Sequence, residues 1–134
     1  MPVAAVGETA THEIRITNEM IDEFAALSGD TNPIHLDEEY AADTMFGGRV
    51  AHGILSAAIV SGALASLPGD IVYLTQDLDF ESPVLPEDVV RAEVEVVEST
   101  GGDRIRVQTD AFVPARDERV LTGEATVLSV PHDQ

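Results

Sequence analysis

The feature that most constrains the fold is an apolar segment near the middle of the chain, Val50–Leu67. It consists of Ala, Ile, Leu, Val, Ser and Gly with one histidine, His52, and it ends before Pro68-Gly69 without a charged residue. A helix without a polar face is either buried or spans a membrane. The serines and glycines, and a length at the short limit for a bilayer, favour burial. We therefore predict a central helix that other elements cover.

The segments that follow this helix have the pattern of β-strands. Tyr73–Phe80 is extended, and apolar and polar residues alternate in Val90–Val96, Ile105–Ala111 and Leu121–Val127. Gly101-Gly102 predicts a hairpin turn between two of these strands. One buried helix followed by four antiparallel strands indicates a single α+β domain over residues 1–134, with the antiparallel sheet wrapped around the central apolar helix.

The N-terminal part predicts a strand, a short helix and a polar loop. His12–Thr17 alternates as a strand does. Asn18 is the predicted N-cap of a helix whose apolar residues recur at helical spacing and which ends at Gly29. Residues 30–49 are polar and rich in turn-forming residues such as Asn32-Pro33. The helix thus leads the chain into a polar loop.

The chain is strongly acidic. Its 25 Asp and Glu residues and seven basic residues give a net charge of −18, and every basic residue is arginine. Such a surface repels nucleic acid and anionic membranes. Its self-repulsion is screened in molar salt, where the Debye length falls to about 3 Å. We therefore predict a halophilic host with a salty cytoplasm; the alternative is an acidic protein whose few basic residues happen to be arginine.

Cysteine is absent, which excludes disulfides, thiolate metal sites and a cysteine nucleophile. The first ten residues lack a basic region followed by an apolar stretch, so no signal peptide is predicted. The expected location is the cytoplasm, without a membrane or nucleic-acid partner.

Two residues of the polar loop, Asp30 and His35, are candidates for acid–base chemistry. Asp30 follows the end of the helix, and the Asn32-Pro33 turn separates it from His35. This spacing brings a carboxylate and an imidazole to the same side of one loop, where they can hold a water molecule and exchange protons with it. The alternative is that Asp30 and Asn32 form the turn and His35 is a hydrogen-bonded loop residue.

The start of the apolar helix offers a second functional group. The N–H groups of a first helical turn carry the positive end of the helix dipole. The N–H of Gly53 is therefore a candidate donor to a substrate carbonyl and to the enolate formed from it. Ser61 lies on the same helix and needs a hydrogen-bond partner, which the preceding turn can also supply.

The sequence resembles the MaoC-like hydratases and dehydratases, which include R-specific enoyl-CoA hydratases. The resemblance begins with Phe24–Ala41, which contains both Asp30 and His35. It continues through Phe46–Gly53, Ser61-Gly62, Tyr73–Phe80 and Thr122–Ala125. It implies a hot-dog fold and a homodimer in which two sheets join edge to edge.

The resemblance also implies the roles of individual residues. Asp30 and His35 correspond to the family's catalytic pair, and Ser61 corresponds to the serine that supports the pair. Gly53 corresponds to the glycine whose N–H receives the thioester oxygen, and we add Asn32 to the predicted substrate-binding residues. The implied reaction is the reversible syn addition of water to a trans-2-enoyl-CoA, giving (R)-3-hydroxyacyl-CoA, with no cofactor or metal.

Other functions remain open. They are a hot-dog acyl-CoA thioesterase, a 3-hydroxyacyl-ACP dehydratase of fatty-acid synthesis and a non-catalytic acyl-thioester-binding subunit. The pair Asp30 and His35 favours hydration, because protonating the α-carbon needs a second proton-transfer group. Polyhydroxyalkanoate supply is one of several pathways that fit such a hydratase.

Two further groups have alternative interpretations. A metal site formed by Asp30, His35 and His52 lacks the spacing of helical ligand motifs, and we predict no metal. Arg49, directly before the apolar helix, is either a contact of the CoA phosphates or a solvated surface residue.

Overall fold

The computed structural model describes residues 1–132. The strands are β1 Thr9–Arg15, β2 Asp70–Gln76, β3 Asp79–Phe80, β4 Val89–Gly101, β5 Arg104–Val113 and β6 Glu118–Val130. The helices are α1 Asn18–Ser28, α2 Pro33–Leu36, α3 Glu38–Ala42 and α4 Gly53–Ala65, and a 3-10 turn covers Pro114–Arg116. Within these residues, no helix has both the length and the apolar character that crossing a membrane requires.

The strands form one antiparallel sheet in the order β1-β4-β5-β6-β2, and the short β3 also pairs with β6. The predicted hairpin turn joins β4 to β5. Gly101 and Gly102 have φ angles of 117° and 58°, which glycine adopts without the steric cost that other residues meet. β1 and β2 are the edges of this sheet.

Helix α4 packs against the inner face of the curved sheet, so the predicted α+β arrangement is confirmed. The inward rows of the central strands are buried as their alternation predicts: Val90, Ala92, Val94, Val96, Ile105, Val107, Ala111, Leu121, Ala125 and Val127. The helix residues packed in the same core are Leu55, Ile59, Val60, Ala63 and Leu64. Burial of this apolar surface is the main favourable contribution to folding.

Helix α4 is shorter than predicted and is not buried on every side. It begins at Gly53, because the chain just before it is extended and the N–H of Ala51 bonds to the carbonyl of Val84 at 2.8 Å. Ile54 is 53% exposed and Ala58 is also exposed. The sheet of a single chain therefore covers only part of the helix surface.

The N-terminal elements begin at different residues from those predicted. β1 starts and ends a few residues before the predicted strand. Thr17, rather than Asn18, caps α1: its backbone is extended, and its hydroxyl accepts the N–H of Met20 at 3.1 Å, whereas Asn18 is already in the helix. Gly29 ends α1 as predicted, with φ at 81°.

The predicted polar loop contains two short helices. Pro33 occupies the first turn of α2, where its missing N–H has no partner to lose. Asp37 caps α3, and its carboxylate accepts the N–H of Tyr40 at 3.1 Å. Local caps thus give this polar segment regular structure that hydrophobic periodicity does not reveal.

The extended segment Tyr73–Phe80 is divided into β2 and β3 at Asp77. The N–H of Asp77 donates to the carbonyl of Glu124 at 2.9 Å, and the Asp77 carboxylate accepts the N–H of Glu124 at 3.0 Å. These bonds draw the main chain of Asp77 so close to Gly123 that a Cβ at Gly123 would overlap the Asp77 carbonyl. Glycine at this position is therefore required by the sheet itself.

We expect Gly123→Ala to lower the free energy of unfolding by about 3 kcal/mol, because neither main chain can withdraw without breaking sheet hydrogen bonds. Urea unfolding followed by circular dichroism measures the change. Gly48→Ala is the matched control, since a Cβ there would meet only the end of the flexible Glu38 side chain at 3.3 Å. Equal stabilities of the two variants would contradict this interpretation.

Candidate active site

Asp30 lies just beyond the end of α1, with its side chain 41% exposed. Its Oδ1 accepts the backbone N–H of Asn32 at 3.3 Å and the side-chain amide of Asn32 at 2.8 Å. These hydrogen bonds, the backbone one first, and the neighbouring imidazoles hold the pKa of Asp30 below its ordinary value. Asp30 is therefore a carboxylate at neutral pH, and its other oxygen, Oδ2, faces His35.

His35 lies on α2 and is held in one orientation by the main chain. Its Nδ1 lies 2.8 Å from the carbonyl oxygen of Val50, which can only accept, so Nδ1 carries the proton. The other nitrogen, Nε2, is 3.8 Å from Oδ2 of Asp30. This distance exceeds a direct hydrogen bond and is short enough for both atoms to contact one water molecule.

Arg49 supports this arrangement instead of facing solvent. Its Nε donates to the carbonyl oxygen of His35 at 2.6 Å, and one terminal nitrogen pairs with Asp22 at 2.7 Å. Its side chain is only 11% exposed. The solvated-arginine interpretation is therefore wrong, because the guanidinium ties α2 to α1. Contact with the CoA phosphates stays a prediction.

His52 directly precedes α4 and is almost fully buried. Its ring stacks on the ring of His35, with centroids 3.9 Å apart and planes inclined by 26°. Its Nε2 lies 2.9 Å from the carbonyl oxygen of Asp30. Sequence reasoning considered His52 only as an improbable metal ligand. One sequence feature could have indicated a role for this residue: it is the one titratable residue in the apolar segment Val50–Leu67.

Gly53 is the first residue of α4, and no side chain caps this helix end. Its first N–H groups therefore remain available for an acceptor outside the helix. The ring of Phe80 packs over Gly53 so closely that a Cβ would lie 3.0 Å from it. A largely apolar cavity of about 300 Å³ lies beside Gly53 and His52, with Val84 and Val120 among its lining residues.

Ser61 lies on α4, beyond the helix start that adjoins the pair. It follows Gly53 by eight positions on the same helix, a rise of roughly 12 Å. Among the described residues, its hydroxyl makes no hydrogen bond to Asp30 or His35. Its supporting role, and substrate contact by Asn32, whose amide here donates to Asp30, stay predictions.

Asp30, His35 and His52 place possible ligand atoms within 4.8 Å of one another. The hydrogen bonds already made limit their use for a metal. Nδ1 of His35 and Nε2 of His52 both donate to main-chain carbonyls, and Nδ1 of His52 is buried. The free groups are the Asp30 carboxylate and Nε2 of His35, a set suited to moving a proton.

The arrangement combines three chemical capacities. A carboxylate and an imidazole can hold one water between them, and an uncapped helix N-terminus beside them can stabilise negative charge on an oxygen. The adjacent apolar cavity can receive a hydrocarbon chain. The sequence predicted the first two elements, whereas the contacts of Arg49 and His52 were not predicted.

The chain is similar to proteins of one known family. A family model described as "MaoC like domain" matches residues 3–113. A 3-hydroxybutyryl-CoA dehydratase of Methylorubrum extorquens is 42% identical over 124 residues, covering 91% of this chain and 78% of the relative. An (R)-specific enoyl-CoA hydratase of Aeromonas caviae is 40% identical over 124 residues, covering 91% and 92% respectively.

A solved structure is also similar to this chain. The unliganded R-hydratase of Pseudomonas aeruginosa has a TM-score of 0.89 and 38% identity, with 98% of this chain and 88% of that chain covered. The chain therefore has a hot-dog fold and belongs to the MaoC-like family of hydratases and dehydratases.

Proposed function

We propose that the protein is an (R)-specific enoyl-CoA hydratase, which reversibly adds water to trans-2-enoyl-CoA to give (R)-3-hydroxyacyl-CoA. The observation that carries this proposal is the 3.8 Å separation of the Asp30 carboxylate and Nε2 of His35, beside the uncapped N-terminus of α4. The relatives are named for hydration and dehydration of CoA thioesters, which supports the same chemistry.

In the proposed reaction, one water lies between Oδ2 of Asp30 and Nε2 of His35. Nε2 accepts a proton as the water oxygen bonds to the β-carbon, and the double-bond electrons move towards the α-carbon and the thioester oxygen. The N–H of Gly53 stabilises that oxygen. The imidazolium then returns its proton to the α-carbon on the same face, while Asp30 orients the water and stabilises the imidazolium.

This balance consumes only water and the enoyl thioester. Each proton removed from the water is returned to the product, and no electron is gained or lost. We therefore propose that the reaction requires no cofactor or metal.

Thioester hydrolysis is the main alternative at the same site. It requires a water to attack the carbonyl carbon, for which one base suffices. One imidazole can serve either reaction, and the relatives named for hydration and dehydration favour hydration. The dehydration direction on an acyl-carrier-protein substrate uses the same site chemistry and differs in the carrier.

The net charge does not select between CoA and a carrier protein, because the CoA phosphates and an acidic carrier protein are both strongly negative. Among the described residues, six arginines are paired with Asp or Glu: Arg15, Arg49, Arg91, Arg106, Arg116 and Arg119. Docking of either partner needs a complementary basic surface, and like charges suppress association. With a net charge of −18, this chain lacks the overall sign that either partner favours.

We also propose a homodimer. Ile54, Ala57 and Ala58 on α4 and Tyr73 and Leu74 on β2 line an open apolar cavity of about 480 Å³. β2 is an edge strand, so one side of its main chain is available for pairing. A second copy joined edge to edge at β2 would pair that edge and cover the exposed part of α4. We further propose that the protein works in a salty cytoplasm and that its pathway is polyhydroxyalkanoate supply.

Crotonyl-CoA tests the function directly. We expect loss of the enoyl-thioester absorbance, an R product by chiral chromatography, and, in D₂O, deuterium at the α-carbon syn to the hydroxyl. Asp30→Ala and His35→Ala should each lower kcat/KM at least ~10²-fold. Glu95→Gln and His132→Gln, at exposed positions, are the matched controls. Release of free thiol in place of a 3-hydroxyacyl-CoA product would indicate a thioesterase. An S product would refute the site geometry.

The titration of Asp30 tests the hydrogen bonds that hold its carboxylate. In the proposed reaction Nε2 of His35 must also be free to accept a proton, so the acid limb of kcat/KM reports both groups, and the carboxyl of Asp30 is followed directly by ¹³C NMR. Asn32→Ala removes the side-chain hydrogen bond that favours the charged form, so the pKa of Asp30 should move to a higher value. The shift should be partial, because the backbone N–H bond persists. Asn18→Ala, on the exposed surface of α1, is the control; an unshifted pKa of Asp30 in Asn32→Ala would refute the contribution of this amide.

Salt tests the halophilic and dimeric parts of the proposal together. We expect the melting temperature and the dimer fraction to rise from dilute buffer to about 2 M salt, where charge repulsion is fully screened. Circular dichroism and sedimentation velocity measure the two quantities. The Ala58→Asp variant should remain monomeric at high salt. The Ala65→Asp variant, changed at another exposed position of α4, should dimerise as the wild type does. A salt-independent melting temperature would remove the halophilic interpretation, and a wild-type monomer would remove the dimer.

A further inference from the structure

One imidazole contacts both members of the proposed catalytic pair. The Nε2 of His52 lies 2.9 Å from the main-chain carbonyl oxygen of Asp30, and the face of its ring stacks 3.9 Å from the ring of His35. Its side is packed by Phe24, with ring centroids 4.9 Å apart. His52 is only 2% exposed, so its position is set by packing on these neighbours.

The hydrogen bonding of His52 is asymmetric. A carbonyl oxygen only accepts, so the proton is on Nε2 and points at Asp30. Nδ1 is buried and has no hydrogen-bond partner among the described residues. A buried polar atom without a partner destabilises the folded state, and an apolar side chain of similar shape would avoid this penalty. The retained imidazole combines a donor at one atom with a flat ring face.

We propose that His52 is a positioning residue, whose Nε2–H fixes the main chain of Asp30 and whose ring face fixes the orientation of His35. The inference rests on the proposed hydration, because it assigns a purpose to the 3.8 Å gap in which the water is held. His52 contributes no reacting atom in this proposal. It keeps the two reacting groups at the separation that one water can bridge.

The two contacts serve different members of the pair. The backbone of Asp30 follows the glycine that ends α1, where the chain leaves regular structure, and the bond from His52 anchors it to the start of α4. His35 is fixed at Nδ1 by the carbonyl of Val50, a single contact about which the ring can still tilt. Stacking on His52 restrains that tilt. Both restraints come from a residue held rigidly in the core.

Two variants separate these contacts. His52→Gln retains an amide N–H near the position of Nε2 and removes the ring face. His52→Phe retains the ring face and removes the donor. We expect either change to lower kcat for crotonyl-CoA hydration roughly 10- to 100-fold, because displacements near 1 Å have effects of this size, and to leave KM within about threefold. His132→Gln is the histidine control.

Coupling to the pair distinguishes positioning from general support of the fold. In an Asp30→Asn background the pair is already disabled, so His52→Gln should lower the residual rate by less than about threefold. A purely structural role would instead lower the melting temperature and leave kcat of the folded enzyme unchanged. Wild-type kcat in either folded variant, or the full additional loss in the Asp30→Asn background, would overturn the proposal.

A readout independent of activity separates this inference from the proposed function. The ¹⁵N-correlated NMR signals of the His35 ring should show one tautomer with the proton on Nδ1 in the wild type. They should show exchange between ring orientations in His52→Gln. Altered His35 signals in His52→Gln, together with a wild type that hydrates no enoyl-CoA, would refute the function and retain the positioning. Unaltered signals in His52→Gln, with hydration intact in the wild type, would refute the positioning alone.

Discussion

The site depends on one packing constraint, the burial of α4 against the inner face of the sheet. Leu55, Ile59 and Leu64 fix the helix by removing apolar surface from water, and the helix cannot slide or rotate without exposing them. Its N-terminus is therefore a fixed point. His52 and Gly53 lie at that point, and both Asp30 and His35 are located by contacts with the segment that leads into it. The hydrophobic core thus sets the geometry of a polar site.

The contacts that transmit this constraint use main-chain carbonyl oxygens. His35 donates to Val50, His52 donates to Asp30, and Arg49 donates to His35, so each side chain holds the backbone of another residue in the site. This mutual arrangement joins the end of α1, the short helix α2 and the start of α4 without using Oδ2 of Asp30 or Nε2 of His35. Oδ2 of Asp30 and Nε2 of His35 remain free for a reactant. Arg49 extends the same connection to Asp22 on α1.

The extent to which the sequence predicted these features follows from the physics of each. Period-two alternation correctly identified the buried rows of the central strands, because one face of each strand packs on α4. Proximity of Asp30 and His35 was also predictable from a short, turn-containing segment. Hydropathy could not identify Thr17 as the cap in place of Asn18, since both side chains can accept the same bond. Nor could hydropathy reveal that the segment Tyr73–Phe80 is divided into two strands at Asp77. This division arises from a contact between Asp77 and the distant strand β6.

The contacts of Arg49 and His52 could not be predicted from the sequence for a related reason. Their partners are carbonyl oxygens, which every residue carries and which sequence identity does not distinguish. Arg49 resembles a surface arginine in a chain with few basic residues, and only the structure shows it donating to His35. The sequence predicted that α4 is covered, and part of the helix is exposed in the single chain. An apolar segment indicates burial, but it does not distinguish burial within one chain from burial against a second chain.

Exposure changes steadily across the site, and this gradient suits the proposed chemistry. The side chain of Asp30 is 41% exposed, that of His35 is 13% exposed, and His52 is 2% exposed overall. Water can therefore reach the pair from the side of Asp30, whereas the apolar cavity lies on the side of His52 and Gly53. A carboxylate at the wet end keeps its charge, and an imidazole at the boundary can accept and return a proton without leaving a permanent charge in the core. From solvent to core, Asp30, His35 and His52 thus place a solvated carboxylate, a partly buried imidazole and the wall of an apolar cavity side by side, as the proposed hydration requires.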